Sequence, residues 1–443
     1  MDPIRKALLN AEKQGYPVLS ERTLCLLPHP ELALSHFLSQ WRLLLSKLDQ
    51  EIDQHQQLLT KHQGLELASR VRIEAYRKSR IEFKKELSEI FAALPNHEKQ
   101  SHAFASNAHQ SLGLTVPLAQ PLIGYPQNLF RDWVWGDVEN KHYLEICKNA
   151  VIASGLKPKR ILVLAAGGGR LALDLHQHFQ PEFTVALDNS YFFAECFDRI
   201  CFQKGLTISE FPAAPKSDQD QAFRHQVSKI SQSPQNLHYV LGDLNYLPFQ
   251  PESFDLIITP WIIDLIPQKI PQLIHNLSTL LVSERGLWVN FGSFQIPPET
   301  SPVFRFSQAE VKMLAERANF ENLAESFPQI QYLQSPHSAH HRVESLWALS
   351  ARRNAHPVGK TVRALGTPDW LLDFDRPIPK NEQVAFSEMM HKVPQRVFEL
   401  IDGQRSLRTV AEFIGREFEM NQDEAESSLV GFLSRWAQDV KTS

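Results

Sequence analysis

Cysteine is scarce in this sequence. Four residues in 443, Cys25, Cys147, Cys196 and Cys201, form no CxxC pair and no Cys/His spacing of the zinc-binding kind. This excludes a disulfide framework and a zinc ribbon, and predicts reduced thiols inside a core. Long apolar runs are missing as well. The most apolar stretch, 254–266, is interrupted by Asp255, Pro260 and Asp264. It falls short of the roughly 20 apolar residues a membrane helix needs. The opening MDPIRKALLNAEKQ carries no apolar h-region, so a cytoplasmic location is the default expectation, with no membrane partner. Neither sign of charge is in excess. With 46 basic and 50 acidic residues the formal net charge is −4, which gives no general reason for a nucleic-acid partner. A phosphate loop ending in GK[ST], a GxSxG elbow, internal repeats and low-complexity tracts are also lacking.

What is present reads as an ordinary globular chain, 43% hydrophobic and 22% charged. At roughly 100–200 residues per domain, its length predicts two or three domains. Residues 31–52 place Trp41, Leu44, Leu45, Leu48 and Ile52 at helical spacing, and 68–94 repeat the pattern with Val71, Tyr76, Ile81, Phe83, Leu87 and Ile90. The second helix is basic between Arg70 and Lys85, but Glu74, Glu82, Glu86 and Glu89 interleave, which predicts a solvated face with helical ion pairs. Residues 1–126 thus form an N-terminal helical region, closing in a Pro- and Ser-containing linker or lid at 96–126. From Arg160 the grammar changes. Short apolar runs, RILVLAA, FTVALD, HYVLGD, FDLIITP and GLWVNFG, alternate with helix-like stretches, the pattern of a parallel sheet covered by helices. Loose Pro and Gly content at 354–379 marks a further boundary. Beyond it, 376–443 reads as a small, mostly helical domain with segments at 383–401, 407–418 and 422–440, the last opened by a capping box at Asn421 and Glu424.

The strongest local signal is the run from Arg160 through Gly167-Gly168-Gly169 to Arg170: a buried strand, a glycine turn, then an amphipathic helix. Glycine lets backbone turn tightly and approach a ligand. About twenty residues on, the second strand ends in Asp188. A carboxylate there is placed to accept hydrogen bonds from the hydroxyls of a ribose, or to cap the following helix. The third strand ends in Gly242-Asp243, and the fourth in Pro260-Trp261 with Asp264 just beyond. Ligands of open α/β sheets sit outside the carboxyl ends of the strands, so these residues should line one crevice.

This series resembles the class I S-adenosylmethionine-dependent methyltransferases. With Phe130-Arg131-Asp132-Trp133 ahead of it and Asp188-Asn-Ser-Tyr-Phe-Phe193, Trp261-Ile-Ile-Asp264 and Trp288-Val-Asn-Phe-Gly292 in order, it is similar to the carnosine N-methyltransferase, or N2227-like, family over 127–353. The resemblance implies a Rossmann-like methyltransferase sheet with S-adenosyl-L-methionine as cofactor. It implies that Arg131 meets the cofactor's carboxylate end, that the turn of Ala165, Gly167 and Gly169 passes its methionine and ribose portion, that Asp188 holds the ribose, and that Asp243 and Leu244 bracket the adenine. It also implies that Asp264 faces the methyl acceptor; Trp261 either walls the acceptor or caps the core. Four positions depart from the family. Ala165 stands where the turn has glycine, although alanine resists φ > 0. Asp188 replaces a glutamate, Pro297 replaces a substrate-contacting histidine, and the family's C-terminal tyrosines are not evident around Ser338-Ala-His-His341.

The expected activity is methylation of a nitrogen on an imidazole- or amine-bearing small molecule or peptide. An inactive fold serving as a binding module and an RNA or oxygen methyltransferase are the alternatives. His337, His340 and His341 lack an acid or cysteine at matching spacing, so no metal site is expected. The stretch Val397-Phe-Glu-Leu-Ile-Asp402-Gly-Gln-Arg405 resembles the pyrroloquinoline quinone biosynthesis protein D type, which implies a peptide-binding tail.

Overall fold

A computed structural model describes residues 18–20, 23–27, 30–62, 64–92, 125–244, 247–298, 300, 302–356, 375–378, 392–418, 420, 422, 425–426 and 428–433. The capping box expected at Asn421 and Glu424, and most of 96–126 and 354–379, lie outside them. Two compact units result: Met1–Pro28 with Ser39–Pro95 and Ala119–Val362, and His29–Leu38 with Asn96–Leu118 and Arg363–Ser443. The first unit therefore holds most of the N-terminal helices together with the sheet.

That sheet has nine strands. Their ranges are β1 (Val18–Ser20), β2 (Thr23–Cys25), β3 (Arg160–Leu164), β4 (Phe183–Asp188), β7 (Leu237–Leu241), β8 (Leu256–Pro260), β9 (Leu287–Gly292), β10 (Phe320–Ser326) and β13 (Trp347–Arg353). They lie in the order β1-β2-β7-β4-β3-β8-β9-β13-β10. From β2 to β9 all neighbours are parallel, while β13 runs antiparallel to both β9 and β10. The chain winds outward from β3 through β4 to β7, then returns to the other side of β3 as β8. The sheet is thus doubly wound and Rossmann-like, with its switch point between β3 and β8. β7, β8 and β9 are buried at every position, which is why they read as apolar runs and not as alternation.

Helices cover both faces: α4 (Asp137–Ser154), α5 (Arg170–Phe179), α6 (Tyr191–Cys201), α7 (Ile270–Leu280) and α8 (Gln308–Arg317). Ahead of them come α1 (Pro30–Lys61), α2 (Leu67–Phe91) and the short α3 (Tyr125–Phe130), which runs into a π-turn at Arg131–Trp135. Two hairpins escaped the sequence reading, β5 (Leu206–Glu210) with β6 (Phe223–Val227) and β11 (Gln329–Tyr332) with β12 (Arg342–Ser345). The four cysteines are free and buried. The basic face of α2 differs from expectation. Lys84 pairs with Asp49 at 2.5 Å and Arg80 with Glu51 at 3.1 Å, so these ion pairs run across to α1 and not along the helix. Glu86 is not solvated either: it is 3% exposed and accepts from Ser209 and Arg224, each at 2.8 Å.

In the second unit, α9 (Lys392–Leu400) and α10 (Leu407–Glu417) enclose a separate core that includes Val397, Leu407, Val410, Ile414 and Leu429. Ser406 caps α10 by accepting from the Thr409 amide. Among the described residues no helix is long and apolar enough to cross a membrane.

Candidate functional site

Because β3, β4, β7, β8 and β9 are parallel, their carboxyl ends share one edge. The glycine turn, Asp188, Asp243, Leu244, Trp261 and Asp264 all follow from that edge, as the sequence predicts. The glycine turn is held from four directions. The Gly167 amide donates to Asp188 Oδ2 at 2.9 Å and the Gly168 amide to Asp132 Oδ2 at 2.9 Å. The Gly167 carbonyl accepts from the Tyr239 hydroxyl at 2.7 Å, and the Gly168 carbonyl from Trp133 Nε1 at 2.9 Å. A Cβ on Gly168 would lie 2.7 Å from Asp132 Oδ2, so side-chain and backbone approach there needs glycine. Gly169 combines φ = +82° with the Phe197 ring packed against its α-carbon.

Ala165 corrects an expectation. It adopts φ = +50°, in the left-handed region that favours glycine. For an L-residue this costs about 1–2 kcal/mol, and the surrounding hydrogen bonds hold it there. The missing glycine therefore strains the turn without changing its course.

Asp188 is not the helix cap. Ser190 caps α6, accepting from Phe193, while Asp188 Oδ1 accepts from the Ser190 amide at 3.0 Å. Burial pushes the Asp188 carboxyl up to about 6, against the lowering effect of the Gly167, Ser190 and Asn189 amides. A carboxylate has about four lone-pair sites, so these amides leave it some acceptor capacity.

Arg131 arises from the π-turn, and its Nη2 lies 3.8 Å from where a Cβ on Gly167 would be. It forms a bidentate pair with its neighbour Asp132, Nε and Nη2 each 2.8 Å from Oδ1. Glu139 Oε1 is 3.8 Å from Arg131 Nε, and the Tyr143 hydroxyl donates to the same oxygen. Burial favours the neutral forms of all three partners that titrate. It raises Glu139 and Tyr143, while for Arg131 the nearby Asp132, Tyr143, Tyr332 and Glu139 outweigh it and hold the guanidinium above its ordinary value. Asp132, Glu139, Tyr143 and Tyr239 were not singled out from sequence. The available signal was the RDW element itself, and a strand tyrosine whose buried hydroxyl must find a partner.

At the tip of β8, Trp261 sits at φ = +53°, an outlier for a bulky side chain. The backbone is pinned there by a Trp261 amide bond to the Phe291 carbonyl at 2.8 Å, and Gly292 leaves space for it. Its ring lies tilted by 40° against Tyr332, centroids 4.4 Å apart, and meets Tyr143 edge-on at 6.2 Å, and its Nε1 is buried with no partner among the described residues. Asp264 follows on a 3₁₀ turn, 7% exposed, with Oδ2 accepting from the Ser293 hydroxyl at 2.9 Å and the Gln295 amide at 3.4 Å. Burial raises its carboxyl pKa, opposed by those two donors. Asp243 is buried after β7, and Leu244 and Ala165 both pack against the core of the sheet. Pro297, at the family histidine's position, offers only its carbonyl, to Thr300. His337 stacks on Phe223 and bonds Asp220.

No protein-family model matches the chain, and a search of curated proteins finds no match. Among solved structures the chain is similar to TehB from Haemophilus influenzae, at 15% identity over 46% of this chain and 62% of that one, with a TM-score of 0.32. It is similar to the PH0226 protein from Pyrococcus horikoshii, at 14% identity over 51% and 95% with a TM-score of 0.33. A third similarity is to a SAM-dependent methyltransferase from Methanosarcina mazei, at 12% identity over 45% and 95% with a TM-score of 0.30.

Proposed function

We propose that this chain is an S-adenosylmethionine-dependent methyltransferase acting on a nitrogen of an imidazole- or amine-bearing small molecule or peptide. The observation that carries the reading is the glycine turn after β3, held to Asp188 at the end of β4 by the 2.9 Å bond from the Gly167 amide. An adenosyl cofactor fits this cradle. The turn sits at the switch point, Gly168 has no room for a side chain, and Asp188 keeps acceptor capacity for a ribose hydroxyl. The resemblance to the carnosine N-methyltransferase family supports the nitrogen acceptor.

When bound, the cofactor supplies a methyl group already activated on a sulfonium. What is left to the protein is alignment and the exclusion of water. Asp188 would hold the ribose, and Asp243 and Leu244 the adenine. Ala165, Gly167 and Gly169 would line the path of the methionine portion. Arg131 would meet the carboxylate end with the donors Asp132 leaves free. Trp261, backed by Tyr332 and Tyr143, would close the transfer path to water. Asp264, fixed by Ser293 and Gln295, would accept an N–H of the acceptor and orient its lone pair.

Two observations weigh against the rival readings. Ala165 takes a positive φ, so the turn is not blocked. Arg80 and Lys84 on α2 are paired with acids of α1, which weakens the argument for RNA. The tail, 376–443, is proposed as a peptide-docking module. The test is incubation with labelled cofactor and a panel of imidazoles, amines and peptides, read by mass spectrometry. A product heavier by one methylene supports the reading, and absence of both transfer and cofactor binding contradicts it.

A further inference from the structure

A cavity of about 320 Å³ lies under the N-terminal helices, away from the glycine turn. Its volume is at the lower end for small-molecule sites. Phe83, Phe91, Phe130, Trp135, Phe211 and Tyr332 give it aromatic walls. Two of these tie it to the site above. Trp135 ends the π-turn that carries Arg131, and Tyr332 is the ring packed against Trp261.

The polar groups of the wall are mostly spent. Arg80 pairs with Glu51 at 3.1 Å and lies 4.0 Å over the Phe211 ring, while Arg342 pairs with Glu344 at 2.5 Å. Lys47 is exposed. Glu210 is different. It comes from the end of β5, is 5% exposed, and directs Oε2 to His225 Nε2 at 2.7 Å and to Trp135 Nε1 at 3.3 Å. Its Oε1 has no partner among the described residues, although Glu210 lines the cavity. A carboxylate oxygen that faces a cavity is free to accept from a ligand there. Aromatic faces around it attract the positive edge of a ring and a cationic nitrogen.

We propose that this cavity binds an aromatic amine, its ring between the phenylalanine walls and its nitrogen donating to Glu210 Oε1.

Calorimetry on the full chain with tryptamine as the probe tests this. Wild type is expected to bind tryptamine at least tenfold more tightly than N-acetyltryptamine, which lacks the basic nitrogen. Glu210→Gln is expected to lose at least tenfold in tryptamine affinity while binding S-adenosylhomocysteine as wild type does. Ala213→Phe, at an exposed position on the cavity wall, narrows the space without touching Glu210 and is expected to weaken tryptamine at least tenfold; it serves if Glu210→Gln does not fold. No tryptamine binding, or equal binding by wild type and either variant, overturns the proposal. Binding of S-adenosylhomocysteine without tryptamine sinks the cavity assignment and leaves the methyltransferase reading standing. Tryptamine without S-adenosylhomocysteine does the reverse.

Discussion

The glycine turn and the aromatic cavity are opposite solutions to the same problem of buried polarity. At the turn, the amides and carbonyls of Gly167 and Gly168 all have protein partners, from Asp188, Asp132, Tyr239 and Trp133. Around the cavity and the β8 tip, Trp261 Nε1 is buried with no partner among the described residues, and the bonds of Glu210 use only Oε2. A backbone cradle that must hold one shape is over-determined by side chains. A site that must accept and release a varied molecule keeps some of its own groups unspent. The contrast is the reason a cofactor is proposed for the first region and an aromatic amine for the second.

The sharpest way to break that contrast is to unpin the turn. Asp132→Ala removes the Gly168 partner and strands the Arg131 guanidinium in a half-buried position. Removing one partner of a buried pair costs about 3–5 kcal/mol. Urea unfolding should show a loss of that order, together with loss of cofactor binding, whereas a loss below about 1 kcal/mol, the range of an exposed pair, would show that Asp132 does not hold the turn.

Asp188→Ala should weaken cofactor binding by about 1–3 kcal/mol, the worth of charge-assisted hydrogen bonds. The pH dependence sharpens this. The folded carboxyl titrates at about 6, above an unfolded value near 3.9. Between about pH 4 and 6 the native state holds a proton the unfolded chain has released, so this group's contribution to stability falls as pH rises and levels above 6. Cofactor binding runs the other way. It draws on the ionised carboxylate, so affinity should rise from pH 5 to 7.5 in wild type and stay flat in Asp188→Asn.

Asp264→Asn probes the acceptor side. Asparagine can still accept from Ser293 and Gln295, so the fold and cofactor affinity should hold. Turnover should drop at least tenfold, about 1.4 kcal/mol of barrier. Turnover equal to wild type would make Asp264 a structural acid of the β9 loop. The smallest effect is expected of Ala165→Gly. Relief of the φ = +50° strain is partly offset by the freer unfolded chain, leaving a gain of about 1 kcal/mol or less, visible as a small rise in melting temperature.

Much of the first region was legible in the sequence, and little of the second. Parallel strands buried on both faces announce themselves as apolar runs, and a turn that needs glycine shows it by residue type. The residues that hold the turn were not legible. Asp132 acts 36 positions from Gly168 and Tyr239 acts 72 from Gly167, and no local period encodes such pairs. The β5–β6 hairpin that delivers Glu210 alternates only weakly, as LTISE and FRHQV, and its strands join no large sheet. The strain at Ala165 and Trp261 is likewise a property of the folded backbone. Alanine suggested only a poorer turn, and Trp261 read equally as a core cap.

The central claim is that the clamped turn with Asp188 seats an adenosyl cofactor. Titration calorimetry of the full chain with S-adenosylhomocysteine at pH 7.5, beside Asp188→Ala, tests it most directly. The account predicts saturable one-to-one binding by wild type and about tenfold or greater weakening in the variant. No heat and no thermal stabilisation of wild type at excess ligand would contradict it.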